Sequence, residues 1–207
     1  MPLPAPRPSP GVLVLSTLAD YIPELITVFA VFFVADMVYV LDHYFVHYDR
    51  DRYRKTHARH HRRYNGPKSG PQLDAFELST YNSAAFGLLV AMSVLTLFTG
   101  NVGFVAGAAL KWVHSLVFHC YQHGWWTGVS IRNVRPDRPP ASWGLATASY
   151  HAWHHSNPND TRFTFAESWA GFDRILEKLH PWLIRFTVDA RAGRLYHLPA
   201  RGERPSA

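Results

Sequence analysis

Apolar positions along the chain gather into two long runs, and polar positions gather at the ends of those runs. The first run is Ile22–Leu41, in which Asp36 is the only charge after Leu25. Twenty helical residues at about 1.5 Å each cross the ~30 Å hydrocarbon core of a bilayer, so a membrane helix is predicted here. A carboxylate is costly in lipid, which turns Asp36 toward the bundle interior, as a hydrogen-bonded structural group or as one with a role near the chain's histidine clusters. The second run, Leu78–Leu110, holds 33 residues without a charge. That is too long for one comfortable span. Gly100-Asn101 with Gly103 predicts a turn near its centre, hence a helical hairpin of about 82–99 and 102–121.

The remaining pattern is shorter. Residues 1–10 carry proline at every even position, which excludes a helix and predicts a disordered lead. This lead lacks the basic start of a secretory signal. Asn-Gly-Pro and Ser-Gly-Pro make Tyr64–Gln72 a loop, and Pro136, Pro139 and Pro140 make another. A helix is predicted to resume over 144–155. Phe172–Leu179 reads as a short amphipathic helix ended by Pro181, and the tail after about 190 reads as loose. Trp125, Trp126 and Trp143 fit either the membrane interface or ordinary packing. The predicted fold is all-α. It is an integral membrane helical bundle of about three to four membrane helices, with a helical, histidine-rich metal cap on the cytoplasmic side. The predicted organisation is a lead over 1–10, a single membrane-bound domain over 11–185, and a loose tail over 186–207.

Charge fixes the orientation. The net charge is +6, and eight Lys or Arg residues lie between Arg50 and Lys68, against Arg7 alone before the first span. The positive-inside rule puts this segment, and the histidines within it, in the cytoplasm. Arg59, Arg62 and Arg63 read as a solvated anchor, or as an attractor of headgroups or of an acidic donor protein. A nucleic-acid patch is disfavoured because the basic run adjoins a span and alternates with histidines. The single cysteine, Cys120, excludes an intramolecular disulfide framework.

Histidine carries the candidate chemistry. There are 13, and eleven fall within 43–61, 114–123 and 151–155. The groups are His43-Tyr-Phe-Val-His47, His57-Ala-Arg-His60-His61, His114 to His123, and His151-Ala-Trp-His154-His155. On a helix, positions four apart lie about 40° apart, and positions three apart about 60° to the other side. Each HxxHH triplet therefore puts three imidazoles on one face, as a metal needs from a single helix. In the middle group His119 and His123 share a face. His114 is about 140° from His119 on a straight helix, so it is the outlier unless a kink at the membrane edge turns it. Ten such histidines exceed the four ligands of a structural zinc site and suit two metals. Imidazole alone does not choose among iron, zinc, copper and nickel. His180 and His197 read as structural. HExxH, HxxEH, GxGxxG, P-loop and CxxCH patterns are missing, so electrons would come from a separate protein.

HxxxH, HxxHH, a hydrophobic hairpin, a middle histidine group and a final HxxHH together resemble the fatty acid hydroxylase/sterol desaturase superfamily. His154-His155-Ser156 followed by Trp169-Ala-Gly-Phe-Asp173-Arg-Ile-Leu is similar to that family's ending. His114-xxxx-His119 after the hairpin also resembles bacterial β-carotene hydroxylase. The resemblance runs from about Asp36 to Leu176. It implies a membrane-bound, iron-dependent oxygenase with two iron ions. It implies dioxygen and a lipid substrate (fatty acyl, sterol or carotenoid) that is hydroxylated or desaturated. It implies an electron donor of ferredoxin or cytochrome type. Carried over, His43, His47, His57, His60, His61, His151, His154 and His155 are the metal ligands, completed by His119 and His123. Asn157, Asn159 and Asp160 would orient imidazoles, or simply end the helix.

Two other readings stand beside this one. A membrane metal-binding or transport protein would put polar groups at mid-membrane or carry loose His-rich loops. The predicted spans lack mid-depth histidines, which favours an enzyme. The third reading is a member of the same fold without chemistry.

Overall fold

A computed structural model describes residues 19–65, 75–123, 144–156, 164–166 and 168–186. Several expectations fall outside these residues: the proline-rich lead, most of the 64–72 loop, Trp125, Trp126 and Trp143, the loop at Pro136–Pro140, Asn157, Asn159 and Asp160, His197, and the tail beyond Phe186. The described residues form seven α-helices: α1 (Ile22–Tyr48), α2 (Arg50–Lys55), α3 (His57–Asn65), α4 (Ala75–Thr99), α5 (Gly103–Gln122), α6 (Ala148–Ser156) and α7 (Gly171–Leu183). A short 3-10 turn, Ile184–Phe186, follows. No strand longer than an isolated bridge occurs among the described residues, in keeping with the all-α expectation.

α1 is long and apolar enough to cross a bilayer, and Ala84–Thr99 of α4 is a shorter apolar stretch. Large apolar side chains on both helices point away from the protein, with Phe29 61 % exposed and Leu97 and Phe98 each 85 % exposed. The hairpin turn lies where the sequence places it, although the first hairpin helix begins at Ala75, ahead of the expected start near 82. Gly100 takes φ 71°, a left-handed turn that glycine adopts without Cβ strain. Asn101 then accepts the Gly103 amide on Oδ1 at 2.8 Å and donates from Nδ2 to Thr27 Oγ1 at 3.0 Å, tying the turn to α1.

α1 and α5 run parallel and pack closely. A Cβ on Gly103 would lie 2.5 Å from the Glu24 carbonyl oxygen, and one on Gly107 would lie 2.7 Å from that of Val28. Farther along, Lys111 Nζ meets Asp36 Oδ1 at 2.5 Å, with both side chains buried. The interior position expected of Asp36 is found, and its partner is a lysine from the second hairpin helix.

Three local features differ from the sequence reading. Residues 144–147 are extended rather than helical. Ala146 N donates to Ser168 O at 2.8 Å and Ala170 N to Gly144 O at 2.9 Å, a pairing with a distant segment that local propensity does not reveal. α7 runs through Pro181 to Leu183. The missing N–H of Pro181 removes only the helix bond to the Glu177 carbonyl, and Glu177 is exposed, so that carbonyl is not shut away from solvent. The segment after α1 breaks twice. Asp49 Oδ1 caps α2 by accepting Asp51 N and Arg52 N at 3.0 Å, and Thr56 separates α2 from α3. Val40, Tyr44, Tyr150, Phe165, Phe172 and Leu176 form a buried core that holds α6 and α7 against the end of α1.

Candidate metal centre

The histidines converge at one end of the α1–α5 pair. His43 and His47 lie one turn apart near the end of α1. His119 lies in the last turn of α5, and His123 immediately follows that helix. α3 contributes His57, His60 and His61, and α6 contributes His151, His154 and His155. All ten sequence-selected histidines come together, and all but the half-buried His43 are buried.

They form two groups. The candidate ligand atoms of His43, His47, His57 and His154 lie within 4.8 Å of one another, as do those of His60, His119, His123 and His151. Within the first, His43 Nε2 and His57 Nε2 are 2.9 Å apart. Within the second, His123 Nε2 and His151 Nε2 are 3.1 Å apart. Two nitrogens bound to one ion at 2.0–2.1 Å would be about 3 Å apart at near-right-angle geometry, so these spacings fit a shared metal. The buried Nε2 of His154 has no hydrogen-bond partner, as suits a nitrogen reserved for a ligand bond.

His61 and His155 stand between the groups, their rings stacked at 4.3 Å. His61 lies 4.6 Å from His57 and 4.9 Å from His154, ring to ring, and so leans on the first group. His155 lies 4.8 Å from His151 and 4.9 Å from His123, and so leans on the second. Each HxxHH triplet therefore divides between the groups, where its spacing alone reads as three donors for one metal. The reason is angular. Residues three and four positions along a helix diverge by about 100° from each other. A helix lying between two sites can then feed both.

His114 stays outside. It is stacked on Phe118 at 5.2 Å and edge-on to Phe32 at 5.2 Å, with Ser168 Oγ 3.4 Å from its Nδ1. The straight-helix expectation for His114 agrees with this placement. His180 also lies apart, with Nδ1 2.8 Å from the Tyr44 hydroxyl.

Electrostatics favours lone-pair donors. Burial pushes His57, His151, His154 and His155 well below the ordinary imidazole range, and neighbouring imidazoles push further in the same direction. Neutral imidazole is the form that binds a metal. His43 is also fixed in its tautomer. Its Nδ1 donates to the Phe165 carbonyl at 2.8 Å, which leaves Nε2 as the acceptor aimed at the first group. The donor set is all nitrogen, eightfold in the two groups and tenfold with the intervening pair. It fits two borderline ions of the kind imidazole prefers and does not resemble an all-oxygen calcium or magnesium site.

Sequence reasoning did not foresee the buried partners of two polar groups. Lys111, the partner of Asp36, is one, although it ends the long uncharged run and faces a span with a lone carboxylate. The other is Tyr150, the partner of Asp173. The Tyr150 hydroxyl donates to Asp173 Oδ2, and the amides of Phe165 and Ala166 donate to the same carboxylate at 2.8 and 2.9 Å. Burial pushes Asp173 up to about 6, opposed by these hydrogen bonds.

The family model for fatty acid hydroxylase matches residues 28–178, which include every histidine of both groups. No curated protein and no solved structure matches the chain.

Proposed function

The chain belongs to the fatty acid hydroxylase family, and we propose that it is a membrane-bound non-haem di-iron oxygenase. Its reaction would hydroxylate or desaturate a lipid (fatty acyl, sterol or carotenoid) with O2 and external electrons. The observation that carries this reading is the pair of adjacent four-histidine groups, buried together and built by four separate helical segments.

In this reading His43, His47, His57 and His154 hold one iron, and His60, His119, His123 and His151 hold the other. His61 and His155 complete the cage from between them. Two irons so held supply the redox chemistry on dioxygen that an unactivated C–H bond requires. The chain's own residues do the rest. Burial favours the neutral form of His57 and His154, in which one ring nitrogen has a lone pair to offer a metal. The Phe165 carbonyl holds the His43 ring in its binding tautomer. Phe165, which shares an apolar core with Tyr44 and Val40, packs its ring against His43, His47 and His154 on one side of the cage.

α1 and the α4–α5 hairpin span the bilayer, with the histidine end at the cytoplasmic edge. The exposed apolar side chains of α1 and α4 then face lipid tails. The substrate chain enters from the bilayer between the spans. Electrons arrive from a separate ferredoxin- or cytochrome-type protein, because the sequence carries no flavin, haem or nucleotide motif.

Growth of a host with and without the protein under 18O2, followed by lipid mass spectrometry, tests the proposal. The expected result is a lipid carrying one 18O, or one lighter by two hydrogens, that disappears in a His154→Ala variant. Identical lipid profiles, despite protein that is folded and metal-loaded, would overturn it.

A further inference from the structure

The Trp169–Leu176 segment was singled out in the sequence but has no part in ligation. Asp173 lies at its centre and is 3 % exposed. Its carboxylate is fully engaged. Oδ1 accepts the Phe165 amide at 2.8 Å; Oδ2 accepts the Ala166 amide at 2.9 Å and the Tyr150 hydroxyl. None of these partners is a histidine. The Phe165 amide and carbonyl nevertheless belong to one residue, and that carbonyl takes the Nδ1 proton of His43 at 2.8 Å.

We propose that Asp173 is a positioning residue for the first histidine group, acting through the Phe165 backbone on His43. The chain of contacts is short and directional. Two adjacent amides clamped on one carboxylate fix the peptide planes of residues 164–166. That aims the Phe165 carbonyl at His43 of α1. A ring nitrogen bonded to a fixed carbonyl has a fixed tautomer and a fixed ring plane, so Nε2 stays on its partner His57, 2.9 Å away. The Phe165 ring adds a wall, 5.5 Å from His43, 5.3 Å from His47 and 5.9 Å from His154, all members of the same group. No ring contact of Phe165 with His60, His119, His123 or His151 accompanies these among the described residues. The second group is therefore outside the reach of this device, although Tyr150 is the chain neighbour of His151.

This inference rests on the reading that the two groups bind metal. Selectivity between the groups is what separates positioning from general support of the fold. The probe is Co(II), titrated into metal-free full-length protein in detergent and followed by its visible absorption. Two single-site backgrounds are used: His119→Ala, which cripples the second group, and His43→Ala, which cripples the first. Asp173→Asn is added to each. In the His119→Ala background, Asp173→Asn is expected to weaken Co(II) binding at least tenfold, the usual size of an outer-shell loss. In the His43→Ala background it is expected to leave binding within twofold. Far-UV circular dichroism accompanies each titration. If Asp173→Asn does not fold, Tyr150→Phe is read in its place; it keeps both amide bonds and the ring volume, and the same selectivity is expected at a smaller size. Equal weakening in both backgrounds, or none in either, would overturn the inference. Absence of Co(II) binding to the unaltered protein would instead overturn the metal-centre reading on which it rests.

Discussion

Lys111 Nζ lies 2.5 Å from Asp36 Oδ1, and the two side chains are 0 % and 1 % exposed. Lys111 also donates to Ser168 Oγ at 2.7 Å and sits over the Tyr39 ring, 5.1 Å from its centroid. Removing one member leaves the other charged and buried, which costs about 3–5 kcal/mol, whereas replacing both with apolar side chains is often close to neutral. Thermal unfolding in detergent should therefore show large losses for Lys111→Met and for Asp36→Leu. The double variant should recover most of that loss. Additive losses would show that the two charges are not coupled.

The close approach of α1 and α5 gives a steric prediction. A Cβ at Gly107 would stand 2.7 Å from the Val28 carbonyl oxygen and 2.8 Å from Val31 Cβ, so a helix backbone has to move. Gly107→Ala is expected to cost about 1–3 kcal/mol, as overpacking does. It should also weaken metal binding, because α1 and α5 carry histidines at their far ends. Gly87, on α4, would meet nothing within 4 Å. Gly87→Ala should therefore be neutral or slightly stabilising in the same melting experiment.

His114 and His154 should behave oppositely. His154 lies in the first group with a buried, unbonded Nε2, whereas His114 packs among Phe32, Phe118 and Ser168. His154→Ala should lower the iron content of purified protein by about one ion per chain, on the ligand assignment proposed above. His114→Ala should leave it unchanged. Iron analysis of the two proteins decides the matter, and a loss on removal of His114 would redraw the ligand set.

The pH dependence has a definite sign. His57, His151, His154 and His155 are held well below their unfolded value of 6.5, chiefly by burial. As pH falls below 6.5 the unfolded chain binds protons that the folded chain refuses. The stability of the metal-free protein should then fall, by up to about 1.4 kcal/mol per pH unit for each group. Asp173, raised from 3.8 to about 6, acts the other way, since the folded chain takes its proton first as pH drops through that window. One carboxyl does not offset four imidazoles. Melting temperature of the metal-free protein should drop between pH 7 and 5, and a flat or rising profile would contradict the burial of neutral rings.

Much of this arrangement was legible in the sequence because it is local. The hairpin follows from Gly100-Asn101 interrupting an uncharged run. The shared helical faces of His43 with His47 and of His119 with His123 follow from four-residue spacing, as does the outlying position of His114. What was not legible depends on partners far along the chain. The division of each HxxHH triplet requires a second site on the other side of the helix. The pairing of Lys111 with Asp36 requires the relative register of α1 and α5. The extended 144–147 segment exists because 168–170 lies beside it. Asp173 could be noticed in its motif, but its partners, Tyr150, Phe165 and Ala166, come together only in the folded chain.

The most direct measurement is the metal-to-chain ratio of the purified protein, with the magnetic coupling of the bound ions read by Mössbauer spectroscopy. Two histidine groups joined through His61 and His155 predict close to two irons per chain in neighbouring sites. A ratio of one or below after full iron supply, or two ions lodged in distant and unrelated environments, would contradict the shared cage.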